Sequence, residues 1–212
     1  MSLFDEAYHE RPLLFGTNAT EELLYVIDTY KISGRALELG CGDGRDTKYV
    51  LNRGFTVTAI EQSKWALNTL INRDDISLEE KSRLKIVNSD VMEFSYDEDS
   101  FDFIYAITLF DHLAECNCYE LLNKVIRSLK LGGFLFLKVH TVDDVGNTKA
   151  AREISEFVTE IKHFFGRNEL LSKFLPLGRV IYYLESMEDD FDHGLPHTHA
   201  FASLLLKKET IK

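Results

Sequence analysis

The feature that most narrows the folds open to this chain is Glu38-Leu39-Gly40-Cys41-Gly42-Asp43-Gly44, three alternating glycines at the end of the short apolar run Arg35–Leu39. The run suits a buried strand, and Arg45–Asn52, directly after the glycines, reads as a helix that Gly54 stops. A strand that breaks into glycines at a helix N-terminus turns its backbone N–H groups towards a ligand. Glycine there permits left-handed backbone angles and close approaches that a side chain would block. Such a turn belongs to α/β chains, in which a parallel sheet is covered by crossover helices.

The remaining pattern agrees. Helices are expected over residues 17–30, over 63–72 with Ser63 as cap and Trp65, Ala66, Leu70 and Ile71 as apolar positions, and over 117–129, closing at Gly132-Gly133. Strands are expected over 55–60, 84–87, 101–107 and 134–139, the run Phe101–Ile107 being apolar enough for a central parallel strand. The last third changes character. Helices near 150–165 and 169–174 precede two strand patterns, 180–184 and 199–206, with no helix between them, so those two strands must run antiparallel. One domain over residues 1–212 is expected: an N-terminal lid or helix segment (1–30), a ligand-binding core (31–140), and helices with a terminal hairpin (141–212).

Composition sets limits on partners. A net charge of −11, with scattered basic residues, weighs against a nucleic-acid substrate, because phosphate binding needs clustered Lys and Arg. The acidic runs Asp97-Glu98-Asp99 and Glu188-Asp189-Asp190 read as solvated loops. No apolar stretch approaches the ~20 residues of a membrane helix, and Met1–Glu6 lacks the pattern of a signal peptide. Three cysteines make no disulfide framework and fit a reducing compartment, and the lone Cys116-Asn117-Cys118 has no second pair to complete a zinc site. A cytoplasmic enzyme, monomeric or homodimeric and without membrane partner, is the expectation.

NAD, FAD and S-adenosylmethionine sites all use a glycine turn of this kind, but the spacing here is G-x-G-x-G rather than the G-x-G-x-x-G of dinucleotide folds. The acidic Glu38 would also sit poorly beside a pyrophosphate, whereas a cationic sulfonium ligand tolerates it. Glu61, with Gln62 beside it, stands at the end of the second strand, where a carboxylate can accept both hydroxyls of a ribose. Asp90 ends the third strand, placed to take an adenine amine, and Val91 offers the ring an apolar contact.

Together, Glu38 to Asp46, Glu61, Asp90 and Lys130-Leu131-Gly132-Gly133-Phe134 resemble the class I S-adenosylmethionine-dependent methyltransferases over residues 15–208. The resemblance implies a three-layer Rossmann-like α/β fold: a seven-stranded, mostly parallel sheet with an antiparallel last strand. A narrower similarity is to the tellurite-resistance type, through Gly44-Arg45-Asp46, Phe165–Leu170 and the ending His199–Lys208. It implies S-adenosylmethionine as donor and S-adenosylhomocysteine as product. Glu38, Gly40, Cys41, Gly42, Gly44 and Arg45 would form the motif at the methionine portion, Glu61 and Gln62 would serve the ribose, and Asp90 and Val91 the adenine. Ile107 and Thr108 would lie near the reacting methyl group, and Tyr8 on an N-terminal lid would touch the donor.

A small-molecule acceptor is expected, with a protein or peptide acceptor and a non-catalytic donor-binding protein as the alternatives. Asp111-His112, just past the fourth strand, invites a general-base reading, against the alternative that His112 merely packs at a helix start. His193, His197 and His199 with Asp192 could form a metal cluster, but the simpler reading is polar residues shaping the acceptor pocket or facing water, so no metal site is assigned.

Overall fold

A computed structural model describes residues 3–148, 157, 160–190 and 196–210. The chain order is α1 (Leu3–Glu10), α2 (Glu21–Tyr30), β1 (Arg35–Leu39), α3 (Arg45–Asn52), β2 (Thr56–Glu61), α4 (Lys64–Asn72), α5 (Leu78–Ser82), β3 (Leu84–Asn88), β4 (Phe101–Ile107), α6 (Glu115–Ser128), β5 (Leu129–His140), the helix Glu169–Phe174, β6 (Arg179–Asp190) and β7 (His197–Lys207). The strands form one seven-stranded sheet in the order β3-β2-β1-β4-β5-β7-β6. β1 to β5 pair in parallel, and β7 runs antiparallel between β5 and β6. This is the expected class I methyltransferase architecture.

Two cores flank the sheet. One packs Leu23, Val26 and Ile27 of α2, Val50 and Leu51 of α3, and Leu67 and Leu70 of α4 against Ala36, Val57, Phe103 and Phe136. The other packs Leu121, Leu122 and Val125 of α6 with Leu170 and Phe174 against Leu37, Leu39, Ile104 and Leu137. Central strands sandwiched this way are apolar on both sides, which is why β4 has no polar face.

Several sequence expectations are corrected. Trp65 and Ile71 of α4 are exposed; the buried stripe is Ala66, Leu67 and Leu70, and Trp65 instead lies against His9. α6 starts at Glu115 and gives way directly to β5, so Gly132 and Gly133 lie inside an extended segment rather than closing a helix. Gly133 is needed there because a Cβ would come within 2.9 Å of the Lys130 carbonyl. The expected helix near 150–165 lies largely outside the described residues, and its last residues are not helical: Phe165 bridges to Thr141. Glu188-Asp189-Asp190 is strand rather than loop, with Glu188 in an ion pair to the buried Lys138, which also binds Glu22 of α2.

Candidate active site

The chain leaves β1 through Gly40, Gly42 and Gly44, all with positive φ, and enters α3 at Arg45. Two of these glycines are dictated by their neighbours. A Cβ on Gly42 would fall 2.5 Å from the Tyr8 hydroxyl, and one on Gly44 would collide with Leu70 Cδ1 of α4. Gly44 thus lets α3 and α4 close together, while Gly42 lets α1 approach the turn.

Glu61, at the end of β2, joins the neighbouring loops. Its Oε2 accepts from Gly42 N–H (3.1 Å) and its Oε1 from Ser63 N–H (2.8 Å). Each carboxylate oxygen can accept more than one hydrogen bond, so both retain capacity for a ligand hydroxyl. Burial pushes the Glu61 carboxyl up, against the lowering effect of those backbone donors. Tyr8 is likewise pushed well above its ordinary range, by burial first and then by the charges of Glu61 and Asp43.

Glu38 takes a different position from the other acids. It is buried under the turn and accepts from Thr47 Oγ1 of α3. Burial raises its carboxyl to about 8, with the Thr47 hydrogen bond opposing. Cys41 is also buried and its thiol is raised by burial, so it lines the turn as a small apolar group. Asp90, two residues past β3, is exposed, its Oδ1 accepting from Met92 N–H (2.8 Å), and Val91 beside it is buried. Gln62 is exposed, and its carbonyl accepts from the Asn88 side chain. Ile107 and Thr108 are half-buried at the end of β4, and Thr108 holds a left-handed φ of 47°. Because β1 to β4 are parallel, Gly40, Glu61, Asp90 and Thr108 all emerge at one edge of the sheet.

Charged groups of the turn also hold an N-terminal strap. Asp43 Oδ2 accepts from Leu14 N–H (3.0 Å), and Asp46 accepts from Thr20 N–H (2.7 Å) and Thr20 Oγ1 (3.1 Å). Arg45 binds Asp46 and Thr20 (3.0 Å each) and the Phe15 carbonyl (3.4 Å), so its guanidinium serves the strap. Ala7, Tyr8, Leu14 and Ala66 share a small apolar cluster with Leu3, Phe4 and Phe15, seating α1 over the turn.

Asp111 and His112, adjacent in the chain, take different partners. Asp111 is fully buried and its Oδ2 binds His140 Nδ1 of β5, whereas His112 Nδ1 meets the Glu160 carbonyl (3.0 Å). Burial would raise the Asp111 carboxyl, but the charge of His140 and its hydrogen bond outweigh burial and leave it lowered. A second pair stands beside it: His199 Nδ1 and Asp144 Oδ2, 2.8 Å apart. Asp144 is lowered because the His199 hydrogen bond and the charge of His140 outweigh its burial, while burial lowers His199. His197 Nε2 lies 2.9 Å from His199 Nε2. Sequence reasoning missed His140 and Asp144; the one available cue was a histidine ending β5, with an aspartate shortly after it in the following loop. His193 and Asp192 lie outside the described residues.

The turn, Glu61, Asp90 and Val91 thus bring backbone N–H groups, carboxylates and a buried apolar side chain to one edge of the sheet. Residues 36–133 match a family described as a methyltransferase domain. Comparison with curated protein sequences yields no significant match. Among solved structures, TehB from Haemophilus influenzae is similar at 20% identity and a TM-score of 0.67, over 87% of this chain and 62% of that one. This chain therefore spans less than two thirds of TehB. A protein described in the conversion of a disulfide bond into a thioacetal group during echinomycin biosynthesis reaches a TM-score of 0.73 at 16% identity, over 99% of this chain and 93% of that one. Phosphoethanolamine N-methyltransferase 2 from Haemonchus contortus, in complex with phosphomonomethylethanolamine and S-adenosylhomocysteine, gives 0.69 at 15% identity, over 97% and 58%. At these identities the solved structures speak for the fold.

Proposed function

We propose, since residues 36–133 match a methyltransferase domain family, that the chain binds S-adenosylmethionine and passes its methyl group to a small-molecule acceptor by in-line displacement. The observation that carries the donor site is the Glu61 carboxylate drawn onto the Gly42 N–H, which joins the ribose position to the glycine turn. In this reading Gly40, Cys41 and Gly42 meet the methionine portion, Glu61 with Gln62 faces the ribose, and Asp90 with Val91 the adenine. Glu38, Gly44 and Arg45 act from behind, through Thr47, Leu70 and the strap.

The donor supplies an activated methyl on a sulfonium, so the protein's task is alignment and exclusion of water. Alignment alone is worth up to about 7–11 kcal/mol. Ile107 and Thr108 border the reacting carbon, and Tyr8 on α1 closes the site from above. Asp111 acts through His140, orienting that imidazole at the same edge, and His112 stays a candidate for taking the acceptor's proton. A small acceptor is favoured by the charge of −11, which offers nucleic acid no basic track.

A methyl-transfer screen reading release of the demethylated product tests this across thiols, amines, phenols and metalloid oxyanions. Turnover with one class is expected. Transfer only to added peptides or proteins would replace the small-molecule reading, and none to any acceptor would favour a donor-binding protein without catalysis.

A further inference from the structure

Three buried side chains converge at the end of β5, in the loop after it and near the start of β7: His140, Asp144 and His199 are 7%, 2% and 6% exposed. One potential ligand atom from each lies within 4.8 Å of the others. Ligand atoms on a tetrahedral cation at about 2.0–2.2 Å stand about 3.3–3.6 Å apart, so the widest pair must close by up to about 1.5 Å. We propose that His140, Asp144 and His199 bind a divalent transition-metal ion, His140 through Nε2, His199 through Nδ1 and Asp144 through its carboxylate.

The neighbours of each imidazole support this assignment. Asp111 holds Nδ1 of His140 and thereby leaves Nε2 as the electron-pair donor. His199 has Nδ1 against Asp144 (2.8 Å) and Nε2 against His197 Nε2 (2.9 Å). A cation between Nδ1 and the carboxylate would take the place of one proton, with His197 steadying the far side of the ring. Both ligating histidines are then gripped at their outer nitrogen, as metal-bound imidazoles usually are.

Charge points the same way. Asp111 and Asp144 are sunk among these rings, and among the described residues no Lys or Arg side chain hydrogen-bonds to either. Asp111 Oδ1 is buried with no hydrogen-bond partner. The imidazoles are thus the groups that balance both carboxylates, a role a bound cation can take over. Two imidazoles and a carboxylate without thiolate suit Zn2+, Fe2+ or Co2+ better than Mg2+ or Ca2+. The loop before Gly146 is shaped for the role, since Asp144 Oδ1 accepts from Gly146 N–H (2.6 Å) and Oδ2 from Ala200 N–H (2.8 Å), which fixes the carboxylate.

The test is titration of the chelator-treated full chain with Zn2+ by calorimetry, and with Co2+ by visible absorption. One equivalent of Zn2+ should bind, and Co2+ should give the intense visible bands of a low-coordinate imidazole site. His140→Gln and His199→Gln should abolish tight binding; Asp111→Asn and His197→Gln, which touch no metal in this assignment, should each weaken it about 10- to 100-fold. Excess Mg2+ should not compete. Circular dichroism and donor binding check that each variant folds, while the Co2+ spectrum of the unaltered chain needs no variant. The assignment is overturned if Co2+ keeps the weak absorption of the hydrated ion, or if Zn2+ binds no better to the unaltered chain than to the His140→Gln/His199→Gln double variant.

Discussion

Glu38 shows how much a single buried carboxyl in the glycine turn governs. Its carboxyl is held near 8, from an ordinary 4.5, chiefly by burial. The folded state therefore prefers the protonated form: the group's contribution to stability is whole below pH 4.5 and is lost as pH rises through about 8. Glu38→Gln keeps the acceptor for Thr47 and removes the titration. Its stability relative to the unaltered chain should climb between pH 4.5 and 8 and level off above, by a few kcal/mol at most at about 1.36 kcal/mol per unit. Urea unfolding at stepped pH measures this, and a pH-independent difference would count against the buried-carboxyl account. A nearby sulfonium charge would favour the ionised form, so the same carboxyl that weakens the ligand-free fold strengthens the case for a cationic ligand.

At the scale of elements, α1 and the strap behind it depend on very few groups. Asp46 holds both the N–H and the hydroxyl of Thr20, and Asp43 holds Leu14. Asp46→Ala should cost roughly 1–3 kcal/mol, because it leaves buried donors unpaired. It should also speed hydrogen exchange in residues 3–20 while α6 stays protected; unchanged exchange in α1 would show that the apolar cluster alone seats it. β1, α3, β4 and the helix Glu169–Phe174 were legible in the sequence to the residue, because apolar runs and glycine breaks there answer to local rules. The failures came where tertiary pairing overrides local pattern. β5 extends back to Leu129 because Phe101 pairs with it, and β6 reaches Asp190 because each of its polar residues has a partner on β7. In the site, strand-end acids such as Glu61 and Asp90 could be read from position alone. The Asp111–His140 and Asp144–His199 pairs could not, since residues 29 and 55 apart meet only once β5 lies between β4 and β7.

The whole molecule is a parallel sheet whose ligand edge gathers acids from several strands, closed at its far side by a hairpin anchored through Lys138 to Glu22 and Glu188. In the proposed donor site a ligand would meet the ends of β1, β2 and β3 at once, so it should stabilise the sheet as a unit. S-adenosylhomocysteine at 100 times its Kd should add about 2.7 kcal/mol and raise Tm by about 5–10 °C in thermal unfolding. No helix among the described residues is long and apolar enough to cross a membrane. The most direct measurement of the central claim is calorimetric titration of the full chain with S-adenosylmethionine, S-adenosylhomocysteine and NAD, repeated on Glu61→Ala. The account predicts one saturable site for the first two, none for NAD, and at least a tenfold loss of affinity in the variant. Saturable NAD binding, silence with both sulfur ligands, or undiminished affinity in Glu61→Ala would contradict it.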